Sequence, residues 1–446
     1  MLQENNIELR VKCQQYQAER YWVSLDEKES VILFESKQRT EDVRCPVCGS
    51  HVNIHSMKTI NLKDMSIWVG CKQELRFIRR RYRCMACSKT FTEEIPLRYP
   101  GTRITTRAAR WVQTLLQNKI TVRSVQDITG IHWDTIRKIQ TEMIEKTLTQ
   151  RQQERSALGY KPRFLAVDEF AIHKGHTYAT CVMDLDTGEV LWVGKGRAKA
   201  DFARFFEETD ADFLSDVVAV AMDMNASYHL LIQQYLPHAQ IVYDRYHMQA
   251  QYGKEVLGVV RLTEARKHKQ KAASIKACIA SAPDVASSRK LKSDAKAEQQ
   301  LYSKLKGLRW ALLTNREKLS EHGAQQLSSI LEAHSQLAVC YAMKEELCRL
   351  FSLRDAASAL VGWQRWFSAA LNSNIPALVA FAQRKQSRIE GLIAHALFPI
   401  STGKLEGFNN KIKVAKRIGY GYRDDAFFFA LVRFLSIPLA PYHSNP

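Results

Sequence analysis

Two sets of residues in this chain have types and spacings that could do chemistry. The first is Cys45, Cys48, Cys84 and Cys87, two C-x2-C pairs separated by 35 residues. A two-residue gap lets both sulfurs of a knuckle turn onto one ion, and two such knuckles complete a tetrahedral thiolate site suited to zinc. Pro46, Gly49 and Ser88 supply turn chemistry around the pairs. Four thiolates leave no open position, which points to structural zinc rather than catalytic zinc. Cys71, between the pairs, reads as core. The second set is acidic. Asp168 closes the apolar run Phe164 to Val167, and Asp223 closes Val217 to Met222. Glu406 follows a turn and opens a helix, and it is the only acid among six bases between Gly403 and Arg423. Like charges brought together are costly unless a cation lies between them. Two divalent ions ~3.5–4 Å apart are a known arrangement for in-line phosphoryl transfer, and oxygen ligands favour magnesium. Strand-end aspartates are also common turn residues, and Glu169, Asp184 and Asp186 are neighbours of the same kind.

The elements that must position these residues follow from periodicity. Tyr21 to Val23 and Val31 to Phe34 read as a strand pair leading into the cysteines. Residues 149 to 160 read as a linker or the end of a helix. From 161 to 250 the pattern is α/β. Phe164 to Val167, Tyr178 to Met183 and Val190 to Val193 form a meander, with a turn at Asp186-Thr187-Gly188. Lys199 to Leu214 reads as an amphipathic helix, Val217 to Met222 as a strand, Ser227 to Tyr235 as a helix, and Ile241 to Tyr243 as a strand ending in Asp244. The order β-β-β-α-β-α-β matches an RNase H-like core by analogy, in which the strands ending in Asp168 and Asp223 are neighbours. From about 250 to 395 strand patterns vanish and a basic helical insertion is expected, with 281 to 296 as a mobile loop. Its Trp310, Trp363 and Trp366 read as core, although exposed aromatics can stack on bases. Asp425 to Leu435 is an apolar helix.

Val122 to Thr129 and Trp133 to Met143, with Gly130 in the turn, have the spacing of a helix-turn-helix or of an ordinary helical hairpin. Ile128, Ile131, Ile136 and Ile139 would seat both helices. Thr135, Arg137, Lys138 and Gln140 would face outward, toward a groove. The run Arg79-Arg80-Arg81-Tyr82-Arg83 beside the second knuckle could grip phosphate. The whole chain supports a polyanionic partner: 65 Lys and Arg face 46 Asp and Glu in 446 residues, a net +19, and nucleic acid is the commonest such partner. No apolar run reaches the ~18 residues that span a bilayer. Phe427 to Leu435 is short and interrupted by Arg433. A cytoplasmic, nucleoid-associated protein without membrane contact is expected, and in that reducing compartment paired cysteines read as metal ligands first.

Four blocks together resemble the ISL3 family of DDE-type insertion-sequence transposases. They are Cys45-Pro46-Val47-Cys48-Gly49 with Arg81-Tyr82-Arg83-Cys84; Val167-Asp168-Glu169-Phe170 with Lys174-Gly175-His176; Met222-Asp223-Met224 with Tyr243-Asp244-Arg245-Tyr246-His247; and Leu405-Glu406-Gly407-Phe408-Asn409-Asn410-Lys411-Ile412-Lys413, continuing to Arg417 and Gly419-Tyr420-Gly421. Thr402 stands where the family commonly has asparagine. The resemblance implies that Asp168, Asp223 and Glu406 are catalytic and hold Mg2+ or Mn2+, and that Asp244 and His247 support that site or cap a helix. Lys411, Lys413, Lys416 and Arg417 would hold backbone phosphates, as would Arg79, Arg80, Arg81 and Arg83, with Thr135, Arg137 and Lys138 on the recognition helix.

The expected fold is multidomain α+β. A zinc-binding β domain spans 1–98 and a helix-turn-helix domain 99–155. An RNase H-like core spans 156–252 and 399–446, interrupted by an all-α insertion at 253–398. The expected function is binding of the terminal inverted repeats of an insertion sequence, with magnesium-dependent cleavage and transfer into target DNA by a homodimer or higher oligomer. A non-catalytic zinc and helix-turn-helix regulator, or an RNase H-like nuclease that hydrolyses without joining, are the alternatives.

Overall fold

A computed structural model describes residues 15–24, 28–65, 71–173, 177–419 and 421–438. The Lys174-Gly175-His176 block and Tyr420 lie outside the described residues. The chain forms two compact units, Met1–Gln153 with Ile418–Tyr420, and Glu154–Arg417 with Gly421–Pro446.

The first unit begins with a five-stranded sheet in the order β1-β2-β4-β3, with β5 also on β4. Its strands are β1 (Tyr16–Val23), β2 (Glu29–Ser36), β3 (Val52–Asp64), β4 (Lys72–Cys84) and β5 (Thr90–Thr92). Alternation in β4 buries Gln73, Leu75 and Phe77, and Leu75 and Phe77 pack with Tyr16, Ile32, Phe34 and Leu62. Cys71 is buried, as expected of a core residue.

Three helices follow: α1 (Thr106–Gln117), α2 (Val122–Thr129) and α3 (Trp133–Ala157). Thr105 and Thr121 cap the first two through their side-chain oxygens, satisfying amides that have no partner inside the helix. Gly130 adopts φ +66° at the end of α2, a left-handed geometry that glycine tolerates without strain. This turn brings Ile131 into the core with Ile136 and Ile139, whereas Ile128 is 51% exposed. The expectation that Ile128 seats the pair is therefore corrected: Val125 and Ile131 fill that place. The third helix also runs well past Met143, through the stretch 149–157.

In the second unit a sheet runs β10-β9-β6-β7-β8. Here β6 is Phe164–His173, β7 Thr177–Asp184, β8 Val190–Lys195, β9 Ala219–Met222 and β10 Gln240–Tyr243. The first three strands are an antiparallel meander, while β9 runs parallel to β6 and β10 parallel to β9. Helix α4 (Lys199–Glu208) precedes β9, and α5 (Ala226–Tyr235) links it to β10. The helix expected to reach Leu214 stops at Glu208, because Thr209 is extended and Asp210 Oδ1 takes the Asp212 amide in a local turn, a bond that competes with helix.

Helix α6 (Arg245–Tyr252) continues through a π-helical turn at Gly253–Leu257 into the insertion. Its helices are α7 (Gly258–Ala277), α8 (Val285–Gly307), α9 (Arg309–Leu313), α10 (Glu321–Ala333), α11 (Ser335–Leu350), α12 (Ala356–Leu371), α13 (Pro376–Gln386) and α14 (Ile389–Leu397). Most of the loop expected at 281–296 is helical, since Asp284 caps α8 by accepting the Ser287 amide. Trp363 and Trp366 are core, but Trp310 is 72% exposed, contrary to the expectation for all three.

The chain then returns to the sheet with α15 (Gly403–Ile418) and α16 (Asp425–Ser436). Strand alternation separates two cores. Leu165, Val167, Val220 and Met222 face Phe202, Phe205 and Tyr228 of α4 and α5. Ala166, Phe170, Cys181 and Ala221 face Leu405, Phe408, Ile412 and Phe428 of α15 and α16. Burying Leu405, Phe408 and Ile412 at helical spacing fixes the rotation of α15, and with it the directions of Glu406 and Asn409. No helix among the described residues is long and apolar enough to cross a membrane.

Candidate active site

Parallel pairing sets the register of the acids. Val167 lies opposite Met222, and Met222 opposite Tyr243. The next residue of each segment is an aspartate, so Asp168, Asp223 and Asp244 form a row across the carboxyl ends of β6, β9 and β10. Adjacent strands lie ~4.8 Å apart, and the carboxyl ends of parallel strands are the usual ligand-binding edge of an open sheet.

The three acids have different surroundings. Asp244 is buried. Its Oδ1 accepts the amides of Tyr246 (2.7 Å) and His247 (3.1 Å), and its Oδ2 accepts the Thr402 amide (3.0 Å). Asp244 is thus the N-cap of α6 and also ties that cap to the entrance of α15. Asp223 is half-buried and accepts the Met224 amide at 2.6 Å. The Lys385 ammonium of α13 lies near enough to interact with it, while burial lowers the Lys385 pKa. Burial pushes the Asp168 carboxyl up to about 6; the Glu169 amide and His247 oppose that rise, and the Glu406 and Glu169 carboxylates add to it.

Helix α15 brings the last acid to this edge. Thr402 is fully buried, and its hydroxyl donates to Glu406 Oε1 at 3.2 Å. One turn along, Asn409 Nδ2 donates to Asp168 Oδ2 at 2.8 Å, joining α15 to β6 directly. The buried Asn409 Oδ1 has no hydrogen-bond partner. His247 Nε2 is 3.8 Å from Glu406 Oε1.

The tightest group of ligand atoms at this edge is Asp244, His247 and Glu406, which approach within 4.8 Å of one another. Asp168 and Glu406 are electrostatically coupled, and Asp223 stands between Asp168 and Asp244 in the row. Clustered carboxylates, a buried unpartnered amide oxygen and an acid whose charged form is disfavoured by burial together fit a hard divalent cation.

The neighbouring acids separate cleanly. Asp184 is buried and lies opposite Leu165, toward the other end of β6, where it accepts the Tyr160 and Thr187 hydroxyls and the Asp186 amide. It is a turn-building residue. Glu169 is contacted by Asn225 Nδ2 at 3.4 Å. Residues that the sequence reading did not place in the site are Asn409 and Lys385. Asn409 lies three residues after Glu406, a spacing that shares a helix face, whereas nothing local to Lys385 relates it to Asp223.

In the first unit the cysteine sulfurs converge. The antiparallel hairpin of β3 and β4 sets Val52 opposite Cys84 and so closes the 35-residue gap. Gly49 and Ser88 both take left-handed conformations after their knuckles (φ +71° and +56°). Cys45 and Cys87 sulfurs are 3.6 Å apart, and those of Cys48 and Cys84 3.4 Å. Bonds of ~2.3 Å in a tetrahedron imply ~3.8 Å between sulfurs, so the cluster is compatible with zinc. The Ser50 hydroxyl and amide hold the Cys48 thiol down at about 6, favouring the thiolate.

Among the basic residues singled out, Arg80 is committed to Glu93, which also takes the Tyr82 hydroxyl, and Arg79 reaches the Glu93 carbonyl. Arg81 and Arg83 are exposed. On α3, Lys138 is exposed and bonds the Pro100 carbonyl, Arg137 bonds Gln140, and Thr135 is half-buried. On α15, Lys411, Lys413 and Arg417 are exposed, whereas Lys416 donates to the Ala171 carbonyl.

A family model for transposases of the ISL3 DDE type matches residues 165–432. The chain is 33% identical over 390 residues to the transposase for insertion sequence element IS1001 of Bordetella parapertussis, covering 87% of each chain. It is 29% identical over 275 residues to the transposase for insertion sequence element IS1557 of Mycobacterium tuberculosis, covering 60% of this chain and 59% of that one. The chain belongs to the ISL3 family of DDE transposases.

Proposed function

We propose that this chain is the transposase of an insertion sequence, cutting DNA at the element's ends and joining the freed 3′ ends to target DNA. Asp168, Asp223 and Glu406 are the catalytic acids of an RNase H-like core. The observation that carries this reading is the strand register that aligns Asp168 with Asp223, together with the Asn409–Asp168 bond that fixes the Glu406 helix at the same edge.

Asp168, Asp223 and Glu406 would hold Mg2+ or Mn2+. When bound, such ions supply charge stabilisation and orientation for in-line phosphoryl transfer. The protein's own part is placement. Asn409 aims Asp168, Thr402 aims Glu406, and Asp244 locks the Thr402 amide against α6. His247 lies beside the Glu406 oxygen. Two successive displacements at phosphorus follow. A water oxygen bonds phosphorus as the 3′ oxygen leaves; the freed 3′-OH then attacks a target phosphodiester and releases a new 3′-OH. Positioned groups of this kind supply most of the acceleration such reactions need.

The zinc-bound first unit and α3 are assigned to the terminal inverted repeats. Lys411, Lys413 and Arg417 are assigned to backbone phosphates, which fix register on DNA without reading sequence. Paired cutting of two ends implies a dimer or higher oligomer on DNA. The test is cleavage and joining of a labelled duplex carrying the element's own end, with magnesium. Wild type should cut and join, while Asp168→Asn should bind the duplex and do neither. Equal activity in both proteins would overturn the assignment, and cutting without joining would favour a nuclease.

A further inference from the structure

The insertion carries charge out of proportion to its length. Between Gly258 and Gly307 there are 12 Lys and Arg against 4 Asp and Glu, a net +8 of the chain's +19 in 50 of its 446 residues. Three of those acids are engaged locally. Glu264 binds Lys267 and His334, Glu298 binds His268 and Lys271, and Asp284 caps α8. Arg261 is buried against the Leu305 and Lys306 carbonyls, and the other eleven lysines and arginines are exposed.

Part of this charge is organised. A groove of about 710 Å³ is lined by Lys276 of α7 and by Lys292, Lys296 and Lys304 of α8, with Gln299 and Gln300 between them. No carboxylate lines it. The four lysines are exposed and, among the described residues, none forms an ion pair. At ~1.5 Å per residue the α8 lysines span roughly 18 Å of helix. Lys292 and Lys296 stand four residues apart, where like charges repel in a free helix. An elongated row of unpaired cations calls for a partner with repeating negative charge. Lysine ammoniums are compact point charges without arginine's planar bidentate fork, and a row of them along one helix matches repeating phosphates in any sequence.

We propose that the groove between α7 and α8 is a sequence-independent docking surface for the phosphate backbone of duplex DNA, sharing no residue with the carboxylate centre. This rests on the reading of the chain as a DNA transposase and gives its helical insertion a role: holding duplex while the carboxylate edge acts.

The test uses the full chain carrying Lys276→Gln, Lys292→Gln, Lys296→Gln and Lys304→Gln together. Fluorescence anisotropy would follow binding to the element-end duplex and to a scrambled duplex across a salt series. Each phosphate contact contributes about 0.9 to the slope of log affinity against log salt. The slope should therefore flatten by roughly 3 to 4, with both duplexes weakened alike and their affinity ratio unchanged. The matching Lys→Arg quadruple should keep the wild-type slope. A Gln variant that fails to fold would be replaced by Lys292→Gln with Lys296→Gln, expected to show about half the change. An unchanged slope, or a loss confined to the element-end duplex, would overturn the groove assignment and leave the transposase reading standing. A wild type that binds neither duplex would overturn both.

Discussion

In the first unit four thiols meet through one hairpin, and the first and last of them, Cys45 and Cys87, are separated by 42 positions in the chain. In the second unit the acidic edge draws on β6, β9, β10 and α15, and the Asn409–Asp168 bond alone closes a separation of 241 residues. The cysteine site takes its geometry from local backbone, two knuckle turns and the β3–β4 hairpin, with Ser50 beside Cys48. The acidic edge has ligand candidates held by groups from other elements: the Thr402 hydroxyl on Glu406, the Asn409 side chain on Asp168, and three backbone amides on Asp244. A closed thiolate site should therefore carry folding energy, and the open carboxylate edge should carry chemistry at some expense of stability.

The largest effect expected from that contrast is on the thiolate side. Cys84→Ser should lose the metal from the purified protein and with it the cooperative unfolding of the first unit, as structural zinc contributes folding energy outright, on the order of 10 kcal/mol in small zinc domains. Metal content by emission spectroscopy and a thermal melt would show it. A fully folded, metal-free Cys84→Ser protein would break the comparison.

Next comes Asp244, the member of the acidic row that behaves like a structural residue. Asp244→Ala strips acceptors from three amides and should lower stability by about 3 kcal/mol, read as a fall in the urea midpoint. A neutral result would return Asp244 to the list of ligands.

Smaller and opposite in sign is Asp168. Its folded pKa, about 6, lies above the ordinary carboxylate value of about 3.9. Between those values the folded chain holds a proton that the unfolded chain has lost, so stability falls as pH rises through that window. Asp168→Asn lacks that fall. Above pH 6 in a chelator its melting temperature should exceed wild type by roughly 2–4 °C, with no difference once pH drops below the ordinary carboxylate value. Added Mg2+ should then raise wild type and leave the variant unchanged. The least effect on stability is expected for Asn409→Ala, which should cut cleavage about tenfold through misplacement of Asp168 while DNA affinity stays the same.

The same contrast explains what was legible before the fold was seen. The cysteine spacing is local, and so are the apolar runs ending in Asp168 and Asp223. The succession of strands and helices in the second unit followed from such runs, whereas the adjacency of the strands ending in Asp168 and Asp223 came from the RNase H-like analogy. Asn409 could be suspected from its helical spacing to Glu406. The Lys385–Asp223 proximity and the Asp244–Thr402 link could not, since each depends on elements from distant parts of the chain meeting. Ile128 was misplaced because helical periodicity does not register the left-handed turn at Gly130 that puts Ile131 inside. The first half of α8, to Lys296, reads as a loop from its polar composition until Asp284 is seen to cap it.

The most direct measurement compares two adjacent members of the acidic row in one assay. Asp223→Asn and Asp244→Asn proteins, each checked for folding and for duplex binding, would be given an element-end substrate with magnesium in single turnover. Loss of cleavage in Asp223→Asn with its fold and binding intact, and residual cleavage in a less stable Asp244→Asn, is the expected result. Retained cleavage in Asp223→Asn, with abolition in an equally stable Asp244→Asn, would contradict the assignment of Asp168, Asp223 and Glu406 as the catalytic acids.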